Sequence, residues 1–190
     1  MSDVLTFNNA NRRAGDRSNR LSGIVTPVVT PLAQSDRLDL DTTSVLFDRL
    51  ICGGVSGLFL LGTTGEFAGM SHRLRQAFVR EASRIIDGRV PVYVGVSDTS
   101  FDESVELGRL AVECSATALV VTAPYYYRFP ARVMRTYLTD LANAVPVPLI
   151  LYNMPGNTKV VFDEETIKFV VDTPNFIGIK DSGGDLNYFA

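Results

Sequence analysis

Lys180 closes the apolar run Phe176-Ile177-Gly178-Ile179 and stands just before the turn residues Asp181-Ser182-Gly183-Gly184. An amine at the end of a buried-strand pattern suits the mouth of a pocket, and the chemistry it could do there is that of an amine on a carbonyl. Uncharged, it attacks a ketone, and loss of water leaves a protonated Schiff base that draws electrons from the neighbouring carbons. The pKa of such a lysine has to come down from about 10.4, and burial under apolar neighbours is the available lever. Taken alone, Lys180 also fits an exposed loop lysine. Three further clusters carry reactive residue types: Thr63-Thr64-Gly65-Glu66, Tyr125-Tyr126-Tyr127 and Tyr152-Asn153. Each has a plainer reading, respectively a strand-to-helix turn, core or interface aromatics, and a strand terminator before Pro155. The chain holds a single histidine, His72, at the start of a helical stretch where a surface residue is expected. Phenol and hydroxyl groups are therefore its available proton carriers. An ordinary phenol titrates near 10, so position beside the developing imine charge must supply much of the effect.

The elements that must hold these clusters follow from the apolar pattern. Short apolar runs at 23–29, 57–61, 90–96, 118–122, 148–152 and 175–179 read as strands. Between them lie helical patterns: Leu46-Leu50-Ile51, then Leu74-Ala77-Phe78-Ala82-Ile85-Ile86 after a Ser71 N-cap, then Val105-Leu107-Leu110-Ala111-Cys114, Val133-Tyr137-Leu138-Leu141, and Ile167-Val170-Val171. The period is roughly thirty residues and each strand is near-continuously apolar, as expected of parallel strands covered by helices. Every reactive cluster falls just after the C-terminal end of a strand, where a (β/α)8 TIM barrel, an α/β fold, assembles its sites. A doubly wound sheet would gather ligand contacts at one switch point, and no Gly-x-Gly-x-x-Gly string follows the first strand. Residues 1–20 are polar and aperiodic, through Asn8, Asn9, Asn11, Arg12, Arg13, Asp16 and Asn19, and read as a flexible N-terminal arm. Residues 21–190 then form an incomplete TIM-barrel catalytic domain of about six βα units.

Composition bounds the partners. The 190 residues are 46% hydrophobic, enough for one buried core, and the net charge of −3 comes with 18 scattered Lys and Arg. There is no basic footprint for nucleic acid. No apolar run approaches the roughly 18 residues needed to span a bilayer, and the N-terminus lacks a signal pattern. Cys52 and Cys114, far apart in apolar helical surroundings, read as buried free thiols in a reducing compartment, so a cytoplasmic protein is expected. One histidine and two cysteines make no metal cluster.

Gly62-Thr63-Thr64-Gly65-Glu66, Pro124-Tyr125-Tyr126-Tyr127, Tyr152-Asn153-Met154-Pro155 and Gly178-Ile179-Lys180-Asp181, preceded by Gly23-Ile24-Val25-Thr26-Pro27, resemble the dihydrodipicolinate synthase and N-acetylneuraminate lyase family, in the family's order, over about 170 residues. The resemblance implies a (β/α)8 barrel, a homotetramer, and class I aldolase chemistry on pyruvate or another 2-oxo acid with neither metal nor cofactor. It implies Lys180 as the Schiff-base residue and Tyr152 as the proton-shuttling phenol. Tyr152 would be linked through Thr63 to Tyr126, the last reaching in from a neighbouring subunit. Thr64 and the backbone amides of its loop, Gly65 among them, would hold the substrate carboxylate, a job suited to N–H groups converging before a helix.

The sequence departs from the family in two places. The synthases usually carry Tyr-Asn-x-Pro-x-Arg-Thr after the fifth strand, the arginine meeting the carboxylate of the second substrate; here that position is Asn157. Asparagine cannot supply the bidentate, charge-assisted contact of a guanidinium, so condensation with aspartate semialdehyde is disfavoured and neutral or polyhydroxylated partners fit better. The sialic acid lyases usually read Gly-Ser-Thr-Gly-Glu where this chain has Gly62-Thr63-Thr64-Gly65-Glu66. Lys180-Asp181-Ser182-Gly183-Gly184 looks more like members acting on 2-keto-3-deoxy sugar acids or 4-hydroxy-2-oxoglutarate, and a lyase of that kind is expected, with dihydrodipicolinate synthase as the alternative. The second departure is that strands seven and eight have no counterpart. Unpaired first and sixth strands would expose apolar edges, which favours reading the chain as part of a longer polypeptide. A different class also fits: a non-catalytic truncated barrel that binds a 2-oxo acid or a protein partner.

Overall fold

Strands and helices follow one another along the chain in the order that the apolar runs and helical patterns predict. The computed structural model describes residues 4–6 and 21–189; the remainder of the stretch read as a flexible arm lies outside the described residues. The elements in order are β1 (Val4–Thr6), β2 (Val25–Pro27), β3 (Leu32–Gln34), β4 (Arg37–Leu38), α1 (Leu40–Cys52), β5 (Gly57–Leu60), α2 (His72–Ile86), β6 (Val92–Gly95), α3 (Phe101–Glu113), β7 (Ala118–Val121), α4 (Ala131–Ala144), β8 (Leu149–Asn153), α5 (Pro155–Thr158), α6 (Glu164–Asp172), β9 (Phe176–Asp181) and α7 (Leu186–Phe189). Contacts divide them between two compact units.

The first unit holds residues 22–96 and 102–119. In it β2, β5 and β6 run parallel, with Leu58 opposite Thr26 on one side and Val92 on the other. β5 and β6 are buried at every position, which is why both read as unbroken apolar runs rather than alternating ones. At the end of β6, Gly95 leaves room for the neighbouring strand: a Cβ there would collide with the carbonyl of Leu61. Helix α2 is capped by Ser71, whose hydroxyl accepts from the Leu74 amide, and presents Leu74, Phe78, Ala82 and Ile86 to the core at four-residue spacing. Helix α1 is capped by Asp39 in the same way. Its last residue, Cys52, is exposed and Cys114 is half-buried, so neither is the fully buried thiol expected of them. The antiparallel pair β3 and β4 gave no sequence signal because all three residues of β3 are exposed and no apolar period marks it.

The second unit holds residues 97–101 and 120–190 with the N-terminal segment. β8 and β9 run parallel with Tyr152 opposite Lys180 and Asn153 opposite Asp181. β1, within the stretch read as an arm, pairs antiparallel with β9 along Gly178, Ile179 and Lys180. Leu138, Leu141, Leu149, Leu151, Val170 and Phe176 fill this unit's core. Asp163 caps α6 by accepting from the Thr166 amide, and Pro155 opens the single turn of α5.

Candidate active site

Strand geometry decides what Lys180 meets. Side chains alternate faces along a strand, and parallel pairing in register places equal positions side by side. Tyr152 and Lys180 therefore share one face of the β8–β9 ladder, and Asn153 and Asp181 share the other. Lys180 is only 7% exposed and Tyr152 6%, so both are carried into the interior at the strand ends rather than released into the loops. The Lys180 ammonium nitrogen lies 4.4 Å from the centre of the Tyr152 ring. It also donates to the Ser182 hydroxyl at 3.0 Å, two residues further along its own chain.

Burial pushes the Lys180 amine down from the ordinary lysine value. The Tyr152 phenol opposes this through its charge and a hydrogen bond, and so does the charge of Asp181. The net direction is downward, because the loss of hydration on burial outweighs one phenol and one carboxylate on the far face. Behind the pair, the Asn153 amide donates to an Asp181 carboxylate oxygen at 2.7 Å, and the Gly183 N–H donates to the other at 3.0 Å. The Ser182 N–H donates to the Asn153 carbonyl at 2.9 Å, which carries the ladder one residue past the strand. The chain is anchored further on by Tyr188, whose hydroxyl donates to the Phe162 carbonyl at 2.8 Å and whose pKa is pushed up to about 12, first by burial.

The remaining residues singled out in the sequence are placed as follows. Thr63, Thr64 and Gly65 belong to the first unit, where they form one 3-10 turn after β5. Thr63 and Thr64 are exposed while Gly65 is buried, its carbonyl accepting from the Thr30 hydroxyl at 2.9 Å. Tyr126 is 84% exposed on the loop after β7, with φ +122° and its ring edge-on to Tyr127 at 4.8 Å between centroids. Asn157 is exposed in the turn of α5. His72 pairs with Glu103 at 3.1 Å on the surface of the first unit. The sequence reading did not single out Ser182. Its place two residues after Lys180 was the available signal, since two residues is the repeat that returns a side chain to the same face. Among the described residues, no group of three or more His, Cys, Asp or Glu could hold a metal ion, and no helix is long and apolar enough to cross a membrane.

Residues 20–190 match the dihydrodipicolinate synthetase family. The chain belongs to that family. One relative, "Probable 2-dehydro-3-deoxy-D-pentonate aldolase YjhH" of Escherichia coli K12, is 39% identical over 164 residues, 86% of this chain and 54% of the relative. Among solved structures, the dihydrodipicolinate synthase of Bacteroides thetaiotaomicron superposes with a TM-score of 0.85 at 44% identity, over 89% of this chain and 57% of that one. The Escherichia coli K12 prophage protein YagE, solved in complex with pyruvate, superposes with a TM-score of 0.84 at 35% identity, over 87% and 56%. The parallel β/α succession is thus part of a (β/α)8 barrel of the dihydrodipicolinate synthetase family, and the chain spans about half the length of the relatives it matches.

Proposed function

We propose that this dihydrodipicolinate synthetase family chain carries the Schiff-base centre of a pyruvate-dependent lyase acting on 2-keto-3-deoxy sugar acids or 4-hydroxy-2-oxoglutarate. The observation that carries the reading is the buried Lys180 amine, held beside the Tyr152 ring and lowered in pKa by burial. Neutral Nζ adds to the ketone carbon of the 2-oxo acid, forming the C–N bond as the C=O π bond breaks, and the oxygen takes up a proton. A second proton transfer releases water and leaves the iminium ion. Loss of the C4 hydroxyl proton then breaks the C3–C4 bond, giving an aldehyde, and the electron pair passes into the iminium as an enamine. Protonation of the enamine carbon and hydrolysis of the imine return pyruvate and the free amine. Tyr152 serves as the proton carrier in this reading, and the ring face that meets the amine would meet the iminium cation.

Thr63, Tyr126, Thr64, Gly65 and Asn157 enter this reading through the family resemblance, the first two as relay partners of the phenol and the others as substrate-binding groups. A homotetramer in which Tyr126 serves a neighbouring copy goes with it, supported by the 84% exposure of that side chain. So does a cytoplasmic location, supported by two unpaired thiols, Cys52 and Cys114. Condensation of pyruvate with aspartate semialdehyde is the second reading, favoured by the 44% identity to a synthase. Asn157 weighs against it, because it lacks the guanidinium that grips a carboxylate. Incubation with a panel of 2-keto-3-deoxy acids, with pyruvate release as the readout, decides between them. Release from at least one sugar acid, with condensation onto aspartate semialdehyde at least about tenfold slower, is expected. Efficient condensation without any release overturns the assignment.

A further inference from the structure

Among the described residues, the Lys180 nitrogen has the polar neighbours Tyr152 and Ser182, and the hydroxyl of Ser182 reaches it where the chain turns after β9. Four bonds shape that turn. Both oxygens of Asp181 are taken, one by the Asn153 amide and one by the Gly183 N–H, while the Ser182 N–H is tied to the Asn153 carbonyl. The fourth is the Lys180–Ser182 contact itself. Asn153 is 1% exposed and its side-chain oxygen has no hydrogen-bond partner among the described residues, so the bond to Asp181 orients this amide. A Cβ at Gly183 would lie 3.3 Å from both the Asn153 nitrogen and the Asp181 oxygen, so the turn is closed tightly around the clamp.

We propose that Asn153 and Asp181 are positioning residues for the Schiff-base lysine: as a cross-strand clamp on the opposite face of β8 and β9, they set the turn that holds Ser182 against the Lys180 amine and fix its spacing from Tyr152. The inference rests on the Schiff-base reading above. Both residues act one position beyond Tyr152 and Lys180, on the opposite face of the same ladder. The amine is thereby held between two neighbours, Ser182 and the Tyr152 ring.

The test follows the rate at which borohydride-reducible pyruvate adduct builds up on the 190-residue chain across pyruvate concentrations. Asn153→Ala is expected to slow the saturating rate by about 10- to 100-fold with little change in half-saturating pyruvate. The exchange Asn153→Asp with Asp181→Asn keeps every bond of the clamp, since an asparagine at 181 can donate to an aspartate at 153 and accept from the Gly183 N–H. It is expected to recover the rate to within a few-fold. A merely structural role would show itself as lower stability without a change in that rate. Should Asn153→Ala not fold, Gly183→Ala, at an exposed position, carries the same expectation. Wild-type adduct formation that Asn153→Ala leaves untouched, or an exchange variant as slow as Asn153→Ala, overturns the clamp. Absence of adduct on the wild-type chain overturns the Schiff-base reading instead.

Discussion

Lys180 shows how burial and reactivity are linked at one residue. Its amine sits in an interior that disfavours charge, and this lowers its pKa more than Tyr152 and Asp181 raise it. The same fact is a stability statement. Between the folded pKa and the ordinary value near 10.5, the unfolded chain binds more protons than the folded one, so stability rises with pH in that window. Below the folded pKa the cost of burying the amine is constant and at its largest. Lys180→Met, which fills similar volume without an ionisable group, is therefore expected to raise the thermal midpoint at pH 7 and to lose that advantage above about pH 10.5, measured by calorimetry across pH. An unchanged midpoint at pH 7 would mean that the amine is well solvated. The sequence made this residue legible through one feature, a lysine closing an apolar run. It did not disclose the clamp behind it, because the Asn153–Asp181 bond joins residues 28 positions apart that meet only once β8 and β9 are paired.

At the scale of elements, the parts that were legible obey strong local rules and the parts that were missed do not. Ser71 before an apolar four-residue period predicted α2, and the helix begins at His72 with the Ser71 hydroxyl on the Leu74 amide. Replacing Ser71 by alanine removes that cap and is expected to cost about 1 kcal/mol in denaturant unfolding, with loss of the first turn visible in amide exchange. A change below a few tenths of that would show that the cap adds little to a helix already held by Leu74, Phe78, Ala82 and Ile86. The pair β3 and β4 and the turn α5 went unread for the opposite reason. The exposed residues of β3 carry no period, and Met154-Pro155-Gly156 has the composition of a strand terminator, although Pro155 in fact opens a helical turn. β1 lay in a polar, aperiodic stretch, and what it makes is backbone pairing along β9, which requires no particular side chain.

For the whole molecule, the family was legible because four motifs fell at the ends of four strands in order, a coincidence that no single motif could supply. The barrel class followed from strands buried on both faces, which write themselves as apolar runs at a regular period. The branch of the family is written more faintly. It turns on the exposed Asn157 and on the residues after Lys180, where one side chain changes the partner without disturbing the fold. The aligned part of this chain covers 54% and 57% of two matched relatives, and the reactive pair lies wholly within β8 and β9. That makes the central claim testable on this chain by one measurement: reduction with borohydride in the presence of pyruvate, followed by peptide mass mapping. The account predicts a single reduced pyruvyl adduct on the peptide containing Lys180, absent from Lys180→Ala and formed faster as the pH rises through the titration of the amine. A folded chain that takes up no adduct, or takes it up equally on Lys159, Lys168 and Lys180, would contradict it.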